Sequence, residues 1–318
     1  MKLITYEDIR RLDICSADCF AWVYEMIRDK KKAQLPPKIS MKPTENILCN
    51  IMPCIIPDTV IGDIGGVKII NRYPERKPIL DSKLFLLDMK TGDFLALMDA
   101  NWITAMRTGA VAAHTIQCFA KKDFQTLAVL GLGNSARATL LILADLFPER
   151  TFRVKLFRYK GQEKLFEERF QGYPNYQFTY VDEYEELMKG SDVILSCATY
   201  FQEDICGDDC FDKGTLVVPV HTRGFTNCDL FFDKVFADDF GHVCHFKNFS
   251  KFKKFAEVSD VVNGNFPGRE SDEERIIVYN IGLSIHDVNY AAHIYQLLKD
   301  DSSIAELAVK EPTDKFWV

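Results

Sequence analysis

Gly131, Gly133 and Ala136 fall in the run Val129-Leu130-Gly131-Leu132-Gly133-Asn134-Ser135-Ala136, between an apolar stretch, Leu127 to Leu130, and a helical pattern that continues through Leu146. A strand that turns through small residues straight into a helix is suited to holding phosphate. Gly131 permits the tight turn, Gly133 lets backbone approach a pyrophosphate, and the small Ala136 lets helix and strand pack closely. The free N–H groups of the first helical turn, at Asn134, Ser135 and Ala136, then face the anion. The spacing therefore predicts a dinucleotide site.

The next strand and its tip bear on which dinucleotide. Phe152 to Phe157 reads as the second strand, so the residue that meets the adenosine ribose is Arg158. A site for NAD wants a carboxylate there to accept from the ribose hydroxyls. This chain offers Arg158, Tyr159 and Lys160 instead. A guanidinium pairs with a 2′-phosphate and an aromatic ring stacks on adenine, so NADP(H) is the preferred cofactor and NAD(H) the alternative.

These residues need a scaffold, and the chain has room for one. Its 318 residues suffice for two domains with a substantial core, and 47% hydrophobic with 27% charged is ordinary globular composition. A net charge of −7 argues against nucleic acid as a partner, because neutralising phosphates needs a basic face. The lysine run Lys30 to Lys32 reads as a solvated helix end. No apolar stretch approaches the roughly 20 residues that span a bilayer, and Glu7, Asp8, Arg10 and Arg11 do not suit a signal peptide. A cytoplasmic protein with no membrane partner is expected. The 10 cysteines are scattered with no CxxC pair, which suits buried thiols in a reducing compartment. His242, Cys244 and His245 look like metal ligands, but as neighbours on a strand they point to opposite faces, so no metal is expected.

Along the chain, Thr5 and Asp8 form a capping box, and a helix from about Ser16 carries Phe20, Val23, Tyr24 and Ile27 on one face. From Pro36 to Leu97 the pattern changes to extended segments broken by proline and glycine: 47–51, 67–70, 84–88 and 94–98. This predicts an antiparallel sheet. A helix over 101–120 leads into the glycine turn. Strands then alternate with helices, with strand starts at Thr126, Arg153, Gln177, Val193, Thr215 and Lys234, the pattern of a Rossmann domain. After 276–279 a turn opens a final helix at 285–299 with no strand to follow, which returns to the first domain.

The run Met98-Asp99-Ala100-Asn101-Trp102-Ile103-Thr104-Ala105-Met106-Arg107-Thr108-Gly109-Ala110 resembles the signature helix of the ornithine cyclodeaminase and mu-crystallin family. The likeness covers nearly the whole chain, through Met52-Pro53, Gly66-Val67-Lys68, Thr91-Gly92, the glycine turn, and Gly282 with Asp287. It implies an α/β fold in which a Rossmann domain, residues 116–285, is inserted in a discontinuous α+β domain, 1–115 plus 286–318. It also implies that the discontinuous domain binds substrate and forms a homodimer through its sheet, that the cofactor is a nicotinamide dinucleotide, and that substrates are amino acids or cyclic imines. Thr108, Cys197, Ala198, Val220 and Gly282, with Arg107, are implied to lie along the cofactor.

That substrate class gives the basic residues a purpose. An α-amino or α-imino carboxylate needs a fixed cation to aim its α-carbon, and Arg107, among the apolar and small residues of its helix, can do this bidentately. Lys68 follows two glycines in an apolar strand, so its amine is expected to be half desolvated with its pKa lowered, ready to bond the carboxylate or pass a proton to the imine nitrogen. Lys38 falls where the resemblance implies a substrate-binding arginine. It keeps the charge and loses the fork.

Cyclodeaminases carry an aspartate after the fifth Rossmann strand to move protons at the α-amine. Here the segment reads Val218-Pro219-Val220-His221-Thr222-Arg223, with Arg223 at the aligned position and His221 before it. Without the carboxylate, cyclisation with loss of ammonia is the less favoured reaction, and His221 is the acid or base near neutral pH. The expectation is an NAD(P)H-dependent reductase of ketimines or cyclic imines, or an amino acid dehydrogenase. Its rivals are a cyclodeaminase of ornithine or a related diamino acid, forming proline and ammonia, and a non-catalytic nucleotide-binding protein.

Overall fold

The computed structural model describes residues 1–198, 201, 203–221, 225–308 and 312–317. The chain divides into two compact units, Met1–Ile14 with Lys31–Thr104 and Ser284–Val318, and Cys15–Lys30 with Ala105–Leu283.

The first unit is a mixed sheet covered on one face by a helix. After β1 (Lys2–Ile4), α1 (Tyr6–Arg10) begins at Thr5 with the expected capping box, since Asp8 N–H donates to Thr5 Oγ1 and Thr5 N–H to Asp8 Oδ2. Then come β2 (Ile39–Met41), β3 (Leu48–Thr59), β4 (Gly62–Arg72), β5 (Leu80–Asp88) and β6 (Phe94–Asp99). The sheet order is Ala305–Glu306, β1, β6, β5, β4, β3, β2, with β1 parallel to β6 and the other pairs antiparallel. The strands are much longer than the sequence segments suggested. Pro53 interrupts the apolar pattern without ending β3, and Gly65 and Gly66 without ending β4, because cross-strand pairing continues on both sides of them.

Register sorts the sheet into two faces. Met52, Lys68, Leu84 and Met98 pair in one row, and Cys54, Gly66, Leu86 and Ala96 in the next. All eight are buried. The other face carries Ile51, Ile55, Val67, Ile69, Phe85, Leu87 and Leu97, all only half-buried.

The second unit is an eight-stranded parallel sheet. It contains α2 (Ser16–Asp29), α3 (Asn101–Phe119) from residue 105 onward, β7 (Thr126–Leu130), α4 (Asn134–Leu146), β8 (Phe152–Phe157), α5 (Gln162–Glu168), β9 (Tyr176–Val181), α6 (Tyr184–Met188), β10 (Val193–Ser196), β11 (Leu216–Pro219), α7 (Cys228–Phe231), β12 (Lys234–Ala237), α8 (Phe240–Val243), β13 (Phe255–Glu257), α9 (Val258–Val262) and β14 (Ile276–Tyr279). The order is β13, β12, β14, β11, β10, β7, β8, β9. Five of these strands, β7, β10, β11, β12 and β14, are buried at every residue, as strands covered on both faces must be. The chain order reverses between β7 and β10, which places a crevice at the carboxyl ends of the strands. β14 inserts between β12 and β11, an order that strand counting does not reveal. After it comes the expected last helix, α10 (Ser284–Leu298), which belongs to the first unit and packs on β3, β4 and β5.

α2 groups with the second unit although the sequence reading put it in the first domain. Its buried residues are Cys19, Trp22, Val23, Met26 and Ile27, and it packs on α4 and α9, while Tyr24 is exposed. Lys30 is not solvated. It is buried, with Nζ 2.8 Å from both Asp239 Oδ2 and Glu257 Oε2. His242, Cys244 and His245 lie on α8 and the turn after it, so the strand argument used for them does not apply.

Candidate functional site

In the second unit, Gly131 follows β7 with φ +85°, a left-handed conformation that favours glycine. A Cβ there would lie 2.7 Å from Ala198 N and from the Cys197 carbonyl carbon, so the turn presses against the end of β10. Gly133 is different: nothing lies within 4 Å of where its Cβ would be. It is the N-cap of α4 and supplies no side chain to the helix's first N–H groups. Ala136 is buried, Ser135 half-buried and Asn134 exposed. Alongside, Gly109 lets α3 approach α4 so closely that a Cβ would sit 2.5 Å from that of Ala138. Thr108 Oγ1, the neighbouring group, is buried with no hydrogen-bond partner among the described residues. An uncapped helix start and an unsatisfied buried hydroxyl suit an anionic ligand such as a pyrophosphate.

On the neighbouring strand, Arg158 stands at the end of β8, its N–H donating to Val181 O at 3.0 Å. Its guanidinium lies over the Tyr180 ring, and Nε is 3.5 Å from Asp182 Oδ1. Tyr159 is exposed, and its N–H donates to Glu163 Oε2 at 3.2 Å. The residues expected to meet the adenosine end are thus open to solvent at one strand tip.

At the carboxyl end of β11, Val220 N–H donates to Ser196 O at 2.7 Å and His221 N–H to Asn280 O at 3.0 Å. Asn280 Nδ2 in turn donates to Thr115 Oγ1 on α3. His221 has φ 58°, uncommon for a residue with a side chain, and its imidazole is directed against Gly282. A Cβ on Gly282 would lie 2.7 Å from His221 Cε1 and 2.9 Å from Arg107 Nη1. Arg107 is 2% exposed and His221 is exposed. One glycine therefore brings together a buried cation able to hold a carboxylate and an imidazole able to move a proton. Behind them Asp238, just past β12, accepts the Gly282 N–H at 2.5 Å and is itself buried. Sequence reasoning missed Asp238, although its place beyond an apolar strand of the parallel sheet was the available signal.

In the first unit, Lys68 is fully buried, not half desolvated, with Nζ 2.7 Å from Asp287 Oδ1. A buried ammonium is tolerable because its counter-charge is buried with it. Lys38 is half-buried, one residue before β2. Ile39 pairs with Ile51 on β3, and the adjacent Met52 pairs with Lys68, so both lysines belong to the same end of one sheet. Desolvation pushes the Cys197 thiol up to about 12, which holds it protonated at neutral pH. Arg223 lies outside the described residues. No helix among the described residues is long and apolar enough to cross a membrane.

The ornithine cyclodeaminase/mu-crystallin family model matches residues 2–302. The nodulation efficiency protein NfeD of Rhizobium meliloti is 25% identical over 321 residues, covering 93% of this chain and 95% of the relative. An N-((2S)-2-amino-2-carboxyethyl)-L-glutamate dehydrogenase of Staphylococcus aureus is 28% identical over 229 residues, 67% of each chain. Among solved structures, the Δ1-pyrroline-2-carboxylate reductase of Thermococcus litoralis, in complex with NADH and L-proline, superposes with a TM-score of 0.83 at 22% identity, over 96% of this chain and 100% of its own.

Proposed function

The chain belongs to the ornithine cyclodeaminase/mu-crystallin family, and from that premise we propose that it is an NADP(H)-dependent reductase of imines formed from α-keto acids and amines, equivalently an amino acid dehydrogenase run in reverse. The observation that carries the reading is the convergence of Arg107 and His221 on Gly282 in the unit that also holds the glycine turn. Support comes from the relatives. The staphylococcal dehydrogenase and the Thermococcus litoralis reductase are named for compounds with nitrogen on the carbon that bears a carboxylate.

When bound, the reduced nicotinamide supplies the hydride that an imine carbon accepts. The protein's share is binding, orientation and proton supply. The N–H groups at Asn134, Ser135 and Ala136 and the Thr108 hydroxyl hold the pyrophosphate, with Gly131 and Gly133 keeping the approach open. Arg158 takes the 2′-phosphate and Tyr159 the adenine. Cys197, Ala198, Val220 and Gly282 provide the backbone surface along the nicotinamide half. In the second unit Arg107 is the clamp for the substrate carboxylate, through both arms of its fork, and His221 a donor of the proton to the imine nitrogen; in the first unit Lys38 is a further substrate cation and Lys68 the alternative proton donor. The half-buried apolar face of the first unit's sheet supports a homodimer, because such a patch is normally covered.

Purified protein given cyclic or open imines of α-keto acids should consume NADPH stoichiometrically, and given ornithine with trace cofactor should release no ammonia. His221→Asn should remove one limb of the pH profile of reduction. Catalytic ammonia release from ornithine without net cofactor consumption would replace this reading with a cyclodeaminase. Tight cofactor binding with no turnover of any amino or imino acid would replace it with a non-catalytic binder.

A further inference from the structure

The Lys68–Asp287 pair is built by a close approach of backbone to helix. A Cβ on Gly66 would lie 2.4 Å from Val288 Cγ2, so only a residue without a side chain lets β4 come this near to α10. Lys68 is two residues beyond Gly66, on the same sheet face, and Asp287 is the neighbour of Val288. That contact therefore fixes the ammonium and carboxylate at 2.7 Å, with neither side chain exposed. The start of α10 is fastened separately, by Ser284 Oγ donating to Pro53 O on β3 at 2.9 Å. Asp287 lies in the helix's first turn, where the free N–H groups favour a negative charge.

Among the described residues, Cys54 on β3, opposite Gly66, interacts with the charges of both Lys68 and Asp287, and His286 precedes Asp287 in α10. Burial pushes the Cys54 thiol up to about 12, so it stays protonated and does not compete for the lysine. A buried ion pair is a poor device for stability, since apolar residues of similar volume serve as well or better. Its presence on a lysine suited to substrate chemistry calls for another purpose.

We propose that Asp287 is a positioning residue that keeps Lys68 charged and aimed in a single direction, so that Lys68 delivers its proton or holds the substrate carboxylate reproducibly at each turnover. The inference rests on the role given to Lys68 in the reductase reading. Asp287 touches Lys68 and acts through it.

The test compares Asp287→Asn and Asp287→Glu with the unaltered protein. Asp287→Asn should lower kcat for imine reduction by about tenfold or more with KM changed far less. It should also move the pH-profile limb due to Lys68 by about one pH unit. Asp287→Glu should restore part of kcat. NMR titration of 13C-labelled lysine, with Lys68 assigned from Lys68→Arg, reads the same charge coupling without substrate. Loss of thermal stability with kcat, pH profile and the Lys68 titration all unchanged would overturn the proposal and leave the pair purely structural. If Asp287→Asn does not fold, the charge-conserving Asp287→Glu carries the test, and unaltered kcat in it counts against the proposal. If the unaltered protein reduces no imine, the reductase reading fails, while the NMR titration still decides whether Asp287 governs Lys68.

Discussion

The guanidinium carbon of Arg158 stands 5.3 Å from the centre of the Tyr180 ring. An aromatic face beneath the cation orders it at the tip of β8 and leaves N–H groups of its fork for an anion. The Asp182 contact competes weakly, because both partners are largely exposed and solvent screens them. NADPH should therefore bind severalfold more tightly than NADH, and Arg158→Asp should reverse the order. Losing a charge-assisted phosphate contact costs about 1.5 to 3 kcal/mol, roughly ten- to a hundredfold in affinity. Equal affinities by calorimetry would show that Arg158 does not read the 2′-phosphate.

Gly282→Ala should damage catalysis more than folding. The new methyl group would meet His221 and Arg107, both of which must shift, at a backbone φ of +95°. The left-handed conformation alone costs roughly 1 to 2 kcal/mol. If Arg107 holds the substrate carboxylate, displacing it by about 1 Å should lower kcat/KM by about a hundredfold. Thermal melting with steady-state kinetics checks both. A variant with full activity would separate Gly282 from the chemistry.

Asp229 gives the protein a pH-dependent stability. It accepts the Tyr279 hydroxyl at 2.7 Å and is buried. Burial raises its pKa to about 7, with the charge of Asp204 adding to the rise, against hydrogen bonds from Tyr279 and Asn248 that lower it. Its folded pKa lies above the unfolded value near 4, so the folded state holds the extra proton between them. The favourable contribution is complete below about pH 4 and is lost as pH rises through about 7. Asp229→Asn should flatten this slope and leave the variant more stable than the parent at pH 8, by roughly 4 kcal/mol at most. Denaturant melts from pH 5 to 8 that are parallel for the two proteins would contradict this.

What could be read from the chain was local. The Thr5 capping box, the start of α4 at Asn134 and the ends of α3 and α10 depend on residues within a turn or two of one another. The glycine turn between β7 and α4 and the position of Arg158 just past β8 were legible for the same reason. Pairing partners were not: nothing near Lys68 announces Asp287, and nothing near Gly282 announces Asp238. The solvated reading of Lys30 failed likewise, because its carboxylate partners arrive from the N-cap of α8 and from β13. Pro53 looked like a strand end because propensity counts its missing N–H and not the strand bonded alongside.

The chain passes between its two units at residues 14, 30, 104 and 283, so neither is a continuous stretch. On a ribosome, β1 to β6 emerge before the second unit's parallel sheet, yet the helix that shields their inner face is made after it. Until then the sheet is an unsheltered apolar surface with a lysine ammonium among its buried positions, a species open to aggregation. A premature stop anywhere before Ser284 would leave that intermediate as the final product. Fragments lacking the last helix should consequently be cleared by cellular quality control even when the entire nucleotide-binding sheet is present.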